Sequence, residues 1–277
     1  MKLIVGTDEI ASGTQQVDGY AYVILPEIAA TALEAETKRI LAKHGLAVFH
    51  ARKFAPAHAP AYAEFLSAVR DAVLDNAPSR ITLVLHSAGE RDRITSAITG
   101  LMEAAYIGNQ QHDRRLLETS KLFGPQLVAF QRVMDGIAPG SVADFEVDSD
   151  DRRELLAKLA GSGPAARLSA AVLLRAFYNG FRNLHHPGAP VMDELRVLPD
   201  EQSAMVQAAD VIGNFALAHG FVCLGVKSVN RTTRASLLES VLDLDGACDF
   251  FHRNVNLRGD DLVLKQEGAM RLDIGGS

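Results

Sequence analysis

The sequence predicts an α/β protein with a mixed central sheet flanked by helices. Three observations carry that expectation. Short β-branched apolar runs alternate with stretches of helical spacing, the first two runs lie close enough to form a hairpin, and neither an internal repeat nor a Pro/Gly/Ser-rich linker divides the chain. At 277 residues the chain can bury a large core without a disulfide or metal staple. Its 48% hydrophobic and 22% charged residues are those of an ordered globular protein.

Residues 3–7 and 20–25 are apolar and β-branched, with Ser12-Gly13 and Asp18-Gly19 as turn signals between them, and they predict the opening hairpin. Pro26 ends the second strand, and apolar spacing over 28–43 predicts a helix that stops before Gly45. Residues 47–50 read as a short strand. Tyr62, Phe65, Leu66, Val69, Val73 and Leu74 recur at steps of three and four, which predicts a helix over 61–77, and 81–85 follow as a buried strand. The span 93–135 is helical in pattern, with breaks at Gly100, Gly108 and Gly124-Pro125, and predicts a helical insertion of two or three helices.

Residues 142–147 form a strand that runs into Asp148-Ser149-Asp150-Asp151 and a helix over 152–159 with an acidic first turn. A helix over 168–184, a strand over 191–198, a helix over 203–219, a helix around 237–242 and a strand at 262–264 complete the pattern. The expected organisation is one domain over 1–225, carrying the insertion, with a C-terminal extension over 226–277 packed on it.

A net charge of −6 and a pI near 5.8 give no overall attraction to a polyanion, so a nucleic-acid partner requires a local basic patch or bridging cations. Cys223 and Cys248 lie in apolar surroundings and read as buried thiols that pack as small hydrophobes. The N-terminus enters Leu3-Ile4-Val5 without the basic and apolar regions of an export signal, so a cytoplasmic location is expected. No membrane association is expected either, because Gln207, Asp210, Asn214 and His219 interrupt the most apolar stretch, 205–226.

The candidate chemistry lies in separated acids. Asp8 and Glu9 follow the first strand run and Asp148 follows another, positions from which side chains reach a cleft beside the sheet. A turn acid or a helix cap is the bland reading of each. Asp210 stands on a helix otherwise made of Val206, Ala209, Val211, Ile212 and Phe215, and forms one polar stripe with Gln207 and Asn214. That stripe is either a satisfied buried network or a site. Together the three Asp side chains offer a cage for hard cations: Mg²⁺ or Mn²⁺ prefers carboxylate oxygen, and a pair of such ions about 4 Å apart stabilises in-line phosphoryl displacement. Arg52-Lys53 is a local basic pair that could meet the phosphate.

Four segments carry a resemblance to a family. The opening T-D-E-I-A-S-G resembles a strand-end Asp-Glu-Ser-Gly, V-F-H-A a short strand after the first helix, F-E-V-D-S-D a mid-chain strand ending in an acid, and S-A-M-V-Q-A-A-D-V-I a late Gln-x-Ala-Asp helix. In this order they resemble the bacterial and phage-associated family catalogued as domain of unknown function 3800, which is similar to ribonuclease H-like folds. The resemblance implies Asp8, Asp148 and Asp210 as metal ligands, Glu9 as a helper, and His50 and Gln207 beside the substrate. It departs at Phe49, where many members carry an acid, and at Ser12-Gly13, displaced by Ile10-Ala11.

The expected function is therefore a divalent-metal-dependent nuclease or phosphoryl-transfer enzyme using Mg²⁺ or Mn²⁺, with nucleic acid as a possible partner. The alternative is a catalytically silent scaffold on the same fold that binds a partner through 93–135. Other chemistries find no support: the chain lacks a G-x-S-x-G elbow, a Walker loop and a strand-linked G-x-G-x-x-G. His185-His186 and His86 lack the helical i, i+4 spacing of a zinc pair.

Overall fold

The two β-branched runs at the N-terminus pair as an antiparallel hairpin, β1 (Lys2–Ala11) with β2 (Val17–Pro26). The computed structural model describes residues 1–11, 17–105, 125–126, 128–130, 133, 140–148, 175, 178–180, 191–258 and 261–274. β3 (Arg80–Ser87) adds antiparallel to β2, while β4 (Val142–Asp148) and β5 (Val191–Leu198) stack parallel on the other side of β1. The C-terminal residues supply a small hairpin, β6 (Val255–Arg258) with β7 (Asp261–Leu264), and then β8 (Ala269–Ile274). β8 pairs with β3, so the six-stranded mixed sheet runs β5-β4-β1-β2-β3-β8. The extension after 225 thus contributes a strand to the central sheet.

Helix α1 (Glu27–His44) opens with an acid, ends on Lys43 and His44, and closes at Gly45, whose φ of 67° suits a residue without Cβ. α2 (Ala59–Leu74) turns Tyr62, Phe65, Leu66, Val69 and Val73 inward, as the spacing predicts. α3 (Ala88–Ala105) covers the described start of the 93–135 span. α4 (Ala204–Cys223) is capped by Ser203, whose Oγ accepts the Val206 N–H. α5 (Val229–Val241) contains the helix expected around 237–242 and begins earlier, and α6 (Ala247–Asn254) follows it.

Alternation along the strands divides the core. Ile4, Ile10, Ala21, Val23 and Leu25 meet α1, α2 and α4, and Leu3, Val5, Tyr20, Tyr22, Phe145 and Val147 meet Phe130, Val133 and Tyr178 on the opposite face. By length and composition α4 could cross a membrane, yet 83% of its most apolar window is buried inside the protein. It is the central core helix. A Cβ on Gly6 would lie 2.3 Å from the Met205 carbonyl carbon, and one on Gly213 would lie 2.4 Å from Ile10 Cγ2. Glycine at both positions lets α4 lie directly along β1.

Two expectations are corrected. Residues 47–50 form no strand: the chain is extended at His50 (φ −145°, ψ 129°), but both neighbours of β2 in the sheet are taken by β1 and β3. The cysteines are not free thiols; Cys223 and Cys248 form a disulfide between the end of α4 and the first turn of α6, with Cα atoms 5.4 Å apart. Apolar surroundings describe each cysteine singly, and only the packing of α6 on α4 brings them together. The helix expected over 152–159 lies outside the described residues, as does that over 168–184 apart from helical Arg175 and 178–180.

Candidate functional site

The polar stripe on α4 holds the segment 49–51, extended at His50 and entering a 3-10 turn at Ala51, in place of a neighbouring strand. Gln207 Oε1 accepts the Phe49 N–H at 2.9 Å, and Asp210 Oδ2 accepts the Ala51 N–H at 2.6 Å. Between them the Tyr62 hydroxyl accepts the His50 N–H at 3.2 Å and donates to the His50 carbonyl at 2.8 Å. Arg234 of α5 donates to the Ala51 carbonyl at 2.7 Å. Side chains thus meet three N–H groups and two carbonyls that have no ladder partner, and the Lys53 and Phe54 N–H groups of the following turn also donate to the His50 and Ala51 carbonyls. Phe49 is itself fully buried and stacks on Phe65 with ring centroids 4.3 Å apart, so no acid could occupy its position without desolvation.

This cradle presents His50. Its Nδ1 lies 2.6 Å from Asp210 Oδ2, and its Nε2 lies 3.9 Å from Asp200 Oδ2. Asp210 is 3% exposed, and its second oxygen accepts the Asn214 side-chain amide at 2.8 Å. Sequence reasoning finds Asp210, Gln207 and His50 but misses Asp200, Tyr62 and Arg234. Asp200 follows Pro199 in a 3-10 turn, where an acid reads as an ordinary helix-start residue.

The Asp210 hydrogen bond, reinforced by its charge and that of Asp200, raises the His50 pKa above the ordinary histidine value against the opposing effect of desolvation. Because the folded pKa is raised, the pair's stabilisation is fully present below the unfolded-state pKa and disappears as pH rises through the folded one. The stability gap between the parent and His50→Gln, measured by urea unfolding at a series of pH values, should therefore narrow as pH rises above about 6.5. A gap that widens with pH would contradict the assignment.

The other predicted acids sit at the β1–β4 boundary. The parallel pairing runs from Lys2–Val142 to Thr7–Val147, and positions 8 and 148 each follow the last pair by one residue. β1 continues to Ala11 along β2, so Asp8 and Glu9 lie within the hairpin, past the end of the parallel ladder. Asp8 is partly buried, and its Oδ1 accepts the Glu9 N–H at 2.8 Å. The side chain of Asp148 is not among the described residues. Arg52 and Lys53 are exposed on the 3-10 turn that follows His50.

Earlier on β4, Asp144 is fully buried between Lys2 Nζ at 2.9 Å and Arg196 Nη2 at 3.0 Å, and Glu146 accepts the Ser203 hydroxyl at 2.7 Å. Asp144 ties β4 to β1 and β5, and Glu146 ties it to the start of α4. Among the described residues, the grouping of three or more His, Cys, Asp or Glu ligand atoms within 4.8 Å of one another is His219, Cys223 and Cys248, and it does not include Asp8 or Asp210.

Fold and site together define an α/β protein with a mixed six-stranded sheet and, on its central helix, a buried Asp210 paired with the partly buried His50. Compared with protein-family models, curated proteins and solved structures, the chain finds no match.

Proposed function

We propose that the chain is a ribonuclease H-like, divalent-metal-dependent nuclease or related phosphodiester hydrolase of the cytoplasm. Asp8, Asp148 and Asp210 are the metal-holding carboxylates, Glu9 is their helper, and His50, Arg52, Lys53 and Gln207 form the substrate side. The observation that carries the reading is the end of the β1–β4 ladder: two parallel strands each reach an acid one step past their last pair, under a helix bearing a buried third acid. Sites in sheets of this kind gather outside the carboxyl ends of parallel strands. The antiparallel β1-β2-β3 meander, with β4 and β5 parallel to β1, supports the ribonuclease H-like assignment.

The donors suit Mg²⁺ or Mn²⁺, being hard carboxylate oxygens. Asp210 Oδ2 already accepts from His50 and Ala51, so coordination by Asp210 would fall to Oδ1, which accepts only from Asn214 among its described hydrogen bonds. A bound divalent cation stabilises the oxygens of an in-line displacement at phosphorus. Asp210 fixes the His50 ring through Nδ1, which leaves Nε2 to meet a phosphate or leaving oxygen. Arg52 and Lys53 add positive charge along the approach.

With Mn²⁺ or Mg²⁺ present, the parent should cleave at least one of single-stranded DNA, RNA and a bis-aryl phosphodiester. Asp8→Asn should lose about 100-fold or more, as for a group in contact with the reacting centre. Cleavage of none of the three, or an Asp8→Asn variant as active as the parent, would reject the proposal. A partner-binding scaffold is the second reading. It is favoured by one observation, that neither Asp8 nor Asp210 joins a close grouping of three described ligand atoms.

A further inference from the structure

At the far end of α4 from Ser203, His219 and Cys223 stand one helical turn apart on the same face. Cys248, in the first turn of α6, completes the group. His219 Nε2 lies 3.2 Å from Cys223 Sγ and 3.5 Å from Cys248 Sγ. A tetrahedral zinc ion with bonds of about 2.3 Å to sulfur and about 2.0 Å to nitrogen would set those separations at about 3.5 Å. Only the two sulfurs must part, to about 3.8 Å, to admit the ion.

The surroundings are those of a metal ligand set. His219 is 4% exposed, and its Nδ1 faces Glu239 Oε1 at 2.9 Å, off the in-line hydrogen-bond direction. A carboxylate behind the second ring nitrogen is the usual means of orienting a zinc-binding histidine. A cavity of about 470 Å³ opens beside Cys248 and His219 and is lined also by Glu239, Asp243, Asp245 and Asp249. It gives access for a cation and room for a fourth ligand, either water or a carboxylate.

We propose that Cys223, Cys248 and His219 form a redox-gated zinc site, open when the cysteines are reduced and closed by the disulfide. Two equivalents of a small thiol reduce the Cys223–Cys248 bond, leaving two cysteine thiols and the thiol's own disulfide. Zn²⁺ then replaces both thiol protons, which pass to solvent, and takes Nε2 of His219 as its third protein ligand. In reverse, a small-molecule disulfide oxidises the two thiolates to the Cys223–Cys248 bond, takes up two protons to become two thiols, and releases Zn²⁺. A reducing compartment favours the open, metal-binding form, in keeping with the proposed cytoplasmic location.

The full chain, reduced with a phosphine and desalted without oxygen, is titrated with Co²⁺ as a spectroscopic substitute. One equivalent should produce a thiolate-to-cobalt charge-transfer band and the strong visible bands of a tetrahedral site, both removed by one equivalent of Zn²⁺. The oxidised chain should produce neither. Glu239→Gln should keep the bands and weaken Co²⁺ affinity by about 10- to 100-fold, the usual loss for an orienting carboxylate. Absence of the charge-transfer band in the reduced chain, whether or not that chain stays folded, overturns the proposal. So does a Cys223→Ser/Cys248→Ser double variant that binds Co²⁺ as tightly as the parent.

Discussion

Gly6→Ala is expected to destabilise the chain by about 3 kcal/mol, near the upper end for inserting a methyl into a closed core. The new Cβ would fall 2.3 Å from both the carbonyl carbon and the carbonyl oxygen of Met205. These are backbone atoms of a helix packed lengthwise on β1, so no rotamer change relieves the clash and α4 must lift. Lifting α4 moves Asp210 and Gln207 away from residues 49–51. A variant that remains folded should therefore also lose the raised His50 pKa, as measured by NMR titration. Gly100→Ala is the matched control, since Gly100 lies exposed within α3 with nothing within 4 Å of its added Cβ. It should be neutral or stabilise by up to about 1 kcal/mol through helix propensity. Equal effects at the two glycines would show that α4 does not depend on close approach to β1.

The second large effect is expected at Asp210→Ala, with a loss of about 3 kcal/mol. The substitution leaves the buried Ala51 N–H without its acceptor and takes the carboxylate from the His50 ring, while the Asn214 amide keeps its bond to the backbone carbonyl of residue 210. Gln207→Ala should cost less, about 1–2 kcal/mol, because it orphans the single Phe49 N–H and gives up the bond to the Asp200 carbonyl. The two effects should not add, since both side chains hold one short segment and the loss of either loosens it for the other. Urea unfolding of the two single variants and the double variant tests this, and strict additivity would contradict a shared cradle.

Much of this architecture is legible in the sequence because it is local. Pro26, Gly45 and the Ser203 cap mark helix boundaries by the chemistry of single residues. An acid, an amide and a second amide at Asp210, Gln207 and Asn214 on an apolar helix announce a buried polar stripe. Its partners are not legible, because Phe49 and Ala51 are 158 and 159 residues distant from theirs. The extended backbone at His50 is legible, but whether a strand or side chains satisfy it depends on which sheet positions are already filled. His219 and Cys223 do show the i, i+4 spacing of a ligand pair, a signal hidden by reading His pairs and cysteines separately. Cys248 joins them only through the packing of α6. β8 carried a usable signal too, in the alternation of Ala-Met-Arg-Leu-Asp-Ile after a turn.

Mn²⁺ calorimetry on the parent and on Asp8→Asn shows whether the acids past the β1–β4 ladder bind a divalent cation. Both proteins carry the Cys223→Ser/Cys248→Ser replacement, so that the second cluster contributes no heat. The prediction is saturable binding by the parent that disappears in Asp8→Asn, with the circular dichroism of the two proteins unchanged. Identical isotherms for the two folded proteins, or no binding by the parent, would contradict it.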